Sequence, residues 1–202
     1  MYVYAFVKTV PGMGSQVAAA LVRAGAERAV ELTGPYDVAA RFAKQTWDGW
    51  AEFKNGPSTI AGIVSITTMV VSAPTTMNVS LAQMPFSDPR WGPSGLVLMN
   101  VAPADAKSAW RKLSVAKRDG TIKAMVPLLG EYDLLAQVSG RDEHEIAGKT
   151  LETLQEIPEV RRAVTCLILR GVPAANYPSP RGSGGYGRKA ASAKRGSTTR
   201  RR

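Results

Sequence analysis

The sequence predicts an α+β fold: two ferredoxin-like βαββαβ units packed sheet to sheet as a dimeric α/β barrel within one chain. Three observations lead there. A short turn, Gly34-Pro35-Tyr36-Asp37, returns 96 positions later as Gly130-Glu131-Tyr132-Asp133. The apolar runs on either side of it line up at nearly the same offset, Val30-Glu31-Leu32 with Val126-Pro127-Leu128 and Val38-Ala39-Ala40 with Leu134-Leu135-Ala136. The strands are also apolar on both alternating faces, Tyr2, Tyr4 and Phe6 as well as Val3, Ala5 and Val7. A sheet of that kind left facing water would expose a large apolar patch, and pressing two such sheets together hides it.

The elements follow in order. Tyr2 to Lys8 alternates and is rich in aromatic and β-branched residues, which predicts a strand. Pro11-Gly12 ends it, and Val17, Ala18, Leu21 and Val22 recur at helical spacing up to Gly25. Glu27–Thr33 and Asp37–Ala43 flank the glycine turn as a hairpin. Thr46 is a suitable N-cap for a helix presenting Trp47, Trp50 and Phe53, and Ile63–Val71 closes the unit. The second copy reads Leu96–Ala102, a helix carrying Ala106, Ala109, Trp110 and Leu113, strands over Thr121–Leu128 and Leu134–Val138, and a last strand Val164–Leu169. Before that last strand, Asp142 and Glu145 form a capping box for a helix whose apolar stripe is Ile146, Leu151, Leu154 and Ile157. The organisation is thus a first module over 1–72, a linker over 73–94 rich in proline, serine and threonine, a second module over 95–171, and a disordered basic tail over 172–202.

Charge separates the folded part from the tail. Of the net +10, eight positive charges fall after Pro173 with no acid among them, which leaves the first 172 residues at +2. A single cysteine among 202 residues excludes an internal disulfide and suits a reducing compartment. No apolar run reaches the roughly 18 residues of a membrane-spanning helix, and the N-terminus enters a strand pattern directly, without a signal-peptide pattern. The expectation is a cytoplasmic protein with no membrane partner.

The residues argue against catalysis. His144 is the only histidine and stands between Glu143 and Glu145 at a helix start. Cys166 lies inside the apolar run Val164-Thr165-Cys166-Leu167-Ile168-Leu169, which predicts a buried, inert thiol. No His/Cys/acid cluster has metal-ligand spacing, and Gly12-Met13-Gly14 lacks the rest of a phosphate loop. The expectation is therefore no enzyme, no metal and no cofactor, although barrels of this shape also host enzymes.

Each half resembles the ligand-binding (RAM) module of the Lrp/AsnC regulators. The first half carries Ala5-Phe6-Val7-Lys8, Pro11-Gly12, Val30-Glu31-Leu32-Thr33-Gly34-Pro35-Tyr36-Asp37-Val38 and Thr67-Thr68. The second keeps Gly130-Glu131-Tyr132-Asp133-Leu134, Ile157-Pro158-Glu159-Val160 and Val164-Thr165. The resemblance covers about residues 1–72 and 95–170 and implies a tandem of such modules without the family's helix-turn-helix, since the first strand begins at residue 2. It further implies a small effector, usually an amino acid, bound near the β2–β3 turn and the last strand, assembly into homo-oligomers, and a role in transcriptional or metabolic regulation. The implied ligand residues are Gly34, Tyr36, Asp37, Thr67, Thr68, Gly130, Tyr132, Asp133 and Thr165. Either aspartate would pair with the ammonium group; turn N–H groups and threonine hydroxyls would hold the carboxylate. Structure alone also explains the turn: glycine gives a left-handed conformation, aspartate accepts backbone N–H bonds, and tyrosine packs on the sheet.

The tail supports an alternative function. Arg181, Arg188, Lys189, Lys194, Arg195, Arg200, Arg201 and Arg202 are interleaved with glycine and one tyrosine, Tyr186. Such segments bind DNA or RNA backbones without sequence preference, in which case the modules serve only for assembly.

Overall fold

The computed structural model describes residues 2–43, 46, 59–72, 85 and 93–173, with side chains up to residue 169. In order the chain forms β1 (Tyr2–Thr9), α1 (Gly14–Arg23), β2 (Arg28–Thr33), β3 (Val38–Ala43) and β4 (Ile63–Val71). Then come β5 (Ser94–Val101), a 3₁₀ turn (Pro103–Asp105), α2 (Ala106–Arg118), β6 (Ile122–Leu129) and β7 (Leu134–Ser139). The chain ends in α3 (Glu143–Lys149), a π turn (Thr150–Leu154) and β8 (Val160–Pro173). The expected helix with Trp47, Trp50 and Phe53 lies outside the described residues, as does the tail with its eight cations.

The eight strands form one closed barrel in the order β1-β3-β2-β8-β5-β7-β6-β4, and every pairing is antiparallel. The first four strands stand as β4-β1-β3-β2 and the last four as β8-β5-β7-β6, the same order shifted by four. The two sets join edge to edge at β2–β8 and β4–β6. Packing of the two sheets is therefore completed by backbone ladders at both edges, which leaves no free edge to be covered.

Alternation sorts the side chains. Tyr4, Phe6, Val30, Leu32, Met69, Leu96, Leu98, Val126, Leu135 and Cys166 point into the barrel and form one core cluster. Val3, Ala5 and Val7 point outward and pack with Val17, Ala18 and Leu21 of α1. Val97 and Met99 do the same with Ala109 and Leu113 of α2 and Ile146 and Leu154 of the last helical segment. Trp110 packs half-buried against that second outer core. Both faces of each strand are thus used, and each fully buried large apolar side chain contributes about 1.5–3 kcal/mol relative to exposure.

The last helix differs from its expected form. Asp142 caps it as predicted, accepting from the Glu145 N–H at 2.8 Å. After Lys149 it widens into the π turn, and Ile146, Thr150 and Leu154 become the residues it buries. Leu151 is 57% exposed rather than part of the buried stripe: five residues on from Ile146, it stands about 140° around the helix at about 100° per residue, away from the sheet. The last strand is also longer than expected. Its first part pairs with β5 and its second with β2, so it must span the width of two neighbours.

Candidate functional site: the crossover turn at Gly34

In a closed antiparallel barrel of this order, β2 and β6 run the same way, so the turns that follow them open on the same end. Gly34 has φ +127° and Gly130 φ +153°, a backbone region that glycine tolerates best. Each turn reaches across to the other half. A Cβ placed on Gly34 would stand 3.2 Å from the Thr165 carbonyl oxygen and 3.4 Å from Cys166 Sγ, both on β8. A Cβ on Gly130 would meet Met69 Cγ at 2.8 Å and the Thr68 carbonyl at 3.3 Å, both on β4. The turn of one half is therefore completed by the last strand of the other.

The two aspartates do the same local work. Asp37 Oδ2 accepts from the Thr9 N–H at 2.6 Å and from the Thr9 hydroxyl at 3.3 Å. Asp133 Oδ2 accepts from the Val101 N–H at 2.8 Å. Thr9 and Val101 lie where the register of β1 and of β5 shifts, so each carboxylate caps a bulge that would otherwise leave a backbone donor unpaired.

The tyrosines point into the barrel mouth. Tyr36 is buried, its ring 5.3 Å from Phe6, and its hydroxyl donates to Glu131 Oε2 at 3.3 Å. Burial raises its pKa to about 12, with the Thr67 hydrogen bond acting against that rise and Tyr132 and Glu131 adding to it. Tyr132 is buried as well, and the Arg162 guanidinium lies 5.6 Å from its ring centre. Tyr36, Thr67 and Tyr132 are thus brought together inside the mouth. Cys166 is fully buried beneath, and burial lifts its thiol to about 11, which keeps it protonated and unreactive.

The outward side of the Gly34 crossover opens into a cleft of about 310 Å³. Thr33, Gly34, Thr165 and Leu167 form one wall; Glu143, Ala147, Thr150, Leu151 and Gln155 from the α3–π segment form the other. Of the predicted site residues, Gly34 and Thr165 line this cleft. Gly130 and Thr68 meet at the equivalent crossover of the other half. Sequence reasoning did not include Glu143, Thr150, Leu151 or Gln155 among the site residues. They belong to the wall that the π turn creates, and a seven-residue helix followed by a π turn reads in sequence as one α-helix.

The opposite end of the barrel is polar and asymmetric. Arg41 is buried, pairs with Glu27 at 3.0 Å and donates to the Pro85 carbonyl at 2.9 Å. The fully buried Tyr4 hydroxyl donates to the same carbonyl at 3.1 Å, and burial raises its pKa. The residue 96 positions on from Arg41 is Gln137, which donates instead to Ser94 Oγ at 3.2 Å. Among the described residues no cluster of three metal-ligating side chains occurs, His144 is exposed, and no helix is long and apolar enough to cross a membrane.

Neither a protein-family model nor a curated protein sequence matches the chain. Among solved structures, the siroheme decarboxylase NirDL is similar at a TM-score of 0.59 and 10% identity, over 85% of this chain and 72% of that one. That likeness is one of fold. The crystal structure of FFRP-DM1 matches at 21% identity over 38% of this chain and 99% of that one, with a TM-score of 0.35. The transcriptional regulator NMB0573 from Neisseria meningitidis, solved as its L-Met complex, matches at 22% identity over 39% of this chain and 50% of that one, with a TM-score of 0.34.

Proposed function

We propose that this chain is a non-catalytic, small-molecule-binding regulatory module of the Lrp/AsnC type, built from two ferredoxin-like units, with an amino-acid effector seated in the cleft at Gly34. The repeated strand order and the repeated crossover support the two-unit reading. The observation that carries the functional reading is the cleft itself, at the small end of the range for ligand sites and lined on one side by Gly34 and Thr165. Its chemistry suits an amino acid. Glu143 faces the ammonium group, and the Thr33 and Thr165 hydroxyls with the Gln155 amide donate to the carboxylate. Ala147, Leu151 and Leu167 take the side chain. Glu143 assumes the part first assigned to Asp37 and Asp133, because each of those carboxylates is already engaged by a backbone N–H. Binding at a wall made from both halves would act through the barrel's assembly with further copies.

The test is a thermal-shift and calorimetric screen of the full chain against the twenty amino acids at millimolar concentration. At least one should raise the melting temperature, since a ligand at 100 times its Kd stabilises by about 2.7 kcal/mol. Leu151→Trp, at an exposed position, should fill the cleft and abolish the shift without lowering the basal melting temperature. A flat response across the panel would sink the reading.

The tail favours a second reading. Eight cations without an acid in the last thirty residues support sequence-independent binding of DNA or RNA. Removal of residues 174–202 should sharply weaken that binding and lower its salt dependence, and the cleft variant should leave it unchanged.

A further inference from the structure

Helix α2 carries five cations and no acid over Ala106–Arg118. Three of them share one line. At about 100° per residue, Lys107, Arg111 and Arg118 fall within about 40° of one another, directly opposite the buried Ala109, Leu113 and Ala116. All three are exposed, and among the described residues none makes an ion pair or hydrogen bond. An acid is available nearby, but it serves the flank: Lys112 pairs with Glu159 at 2.7 Å, and Ser108 donates to the same carboxylate at 2.7 Å. The outermost crest of the helix is left as an uncompensated row of positive charge.

The fold does not demand this row. Helix α1 occupies the corresponding place after the first strand and has one cation, Arg23, in its ten residues. Residues 1–172 carry only +2 in total, so the crest is a local concentration rather than a share of a general excess. From Lys107 to Arg118 the row runs about 16 Å along a rigid axis, the length of roughly five phosphates on one strand of a duplex. Single-stranded nucleic acid is gripped by stacking on aromatic rings, and among the described residues no aromatic is one of the exposed large hydrophobics. Trp110, the one ring on this helix, packs against the core.

We propose that the α2 crest is a docking surface for the phosphate backbone of duplex DNA, sequence-independent and separate from both the cleft and the tail. The folded barrel then contacts nucleic acid itself and is not only an assembly platform for a basic tail.

The test measures how the affinity of the full chain for a 30-base-pair duplex of arbitrary sequence falls with salt. Each phosphate contact contributes about 0.9 to the log–log slope. The triple variant Lys107→Ala, Arg111→Ala, Arg118→Ala, tail intact, should therefore lose about 2.7 from that slope. The swap Lys107→Arg, Arg111→Lys, Arg118→Lys should keep it, and so should a control removing exposed charge elsewhere, Lys8→Ala with Arg23→Ala. A melting temperature equal to the parent's confirms that the barrel is intact. The proposal is overturned if the full chain does not bind the duplex, if the triple variant keeps the parental slope, or if the control loses slope in proportion to its charge. It is also overturned if the triple variant weakens single-stranded binding as much as duplex binding.

Discussion

The barrel is closed by two joints that the strand order makes equivalent and the ladders do not. The β2–β8 joint runs from Arg28 opposite Pro173 to Thr33 opposite Leu167. Among the described residues the β4–β6 joint is two pairs long, Val70 opposite Leu129 and Val71 opposite Leu128. What the two share is what closure requires: a glycine that lets the turn approach the facing strand, an aspartate that caps the bulge and a tyrosine that fills the mouth. What differs lies at particular positions around those three residues. Pro35 stands where the other turn has Glu131, and Arg41 where the other half has Gln137. These positions carry different chemistry, and the described cleft lies on the long joint.

Three experiments press on this comparison. The largest effect is expected at the crossover glycines. Gly34→Ala and Gly130→Ala each add a Cβ at positive φ against β8 or β4 and should cost about 2–4 kcal/mol by chemical denaturation. If one is tolerated within 1 kcal/mol, that joint does not need its close approach and the equivalence fails. The next effect lies at the polar end. Arg41→Gln installs the residue of the other half, and it removes the ion pair to Glu27 and weakens the hold on the Pro85 carbonyl. A loss of about 1–3 kcal/mol is expected, whereas an unchanged stability would make the two halves interchangeable at this end. The smallest effect is electrostatic and belongs to the second half. Glu145 is held down to about 2 by Lys149 and Arg141, and Glu159 to about 2 by Lys112 and Ser108. A carboxylate with a depressed folded pKa stabilises above its unfolded value near 4.5 and loses that contribution as pH falls toward 2. Acid denaturation between about pH 4.5 and 2 should therefore soften in Lys112→Ala, an effect made modest by exposure and salt.

Much of the fold could be read from residues alone because the signals were local. The alternation in β1, the buried positions of α1 and α2, both glycine turns and the Asp142 cap each depend on a few neighbours. The reach of β8 to Pro173 was not legible, because it depends on which strand lies beside it 134 or more residues away. Leu151 was misplaced because it is apolar and not because of its spacing: at about 100° per residue it stands about 140° from Ile146, and it is exposed where it lines the cleft. Gly34 and Thr165 could be named from the motif, but their juxtaposition with Glu143 and Gln155 could not, since it exists only once the two halves interlock.

The lengths of the joints have a consequence for synthesis. The long ladder joins β2, finished by residue 33, to a strand that ends at residue 173. During translation β2 waits with one edge open, a template for wrong pairing, until almost the whole chain has been made. The wall that faces Gly34 is contributed by the same late segment, residues 143–167. A chain that stops before residue 173 thus lacks barrel closure and cleft together, so that formation of the cleft reports that synthesis has passed the last strand.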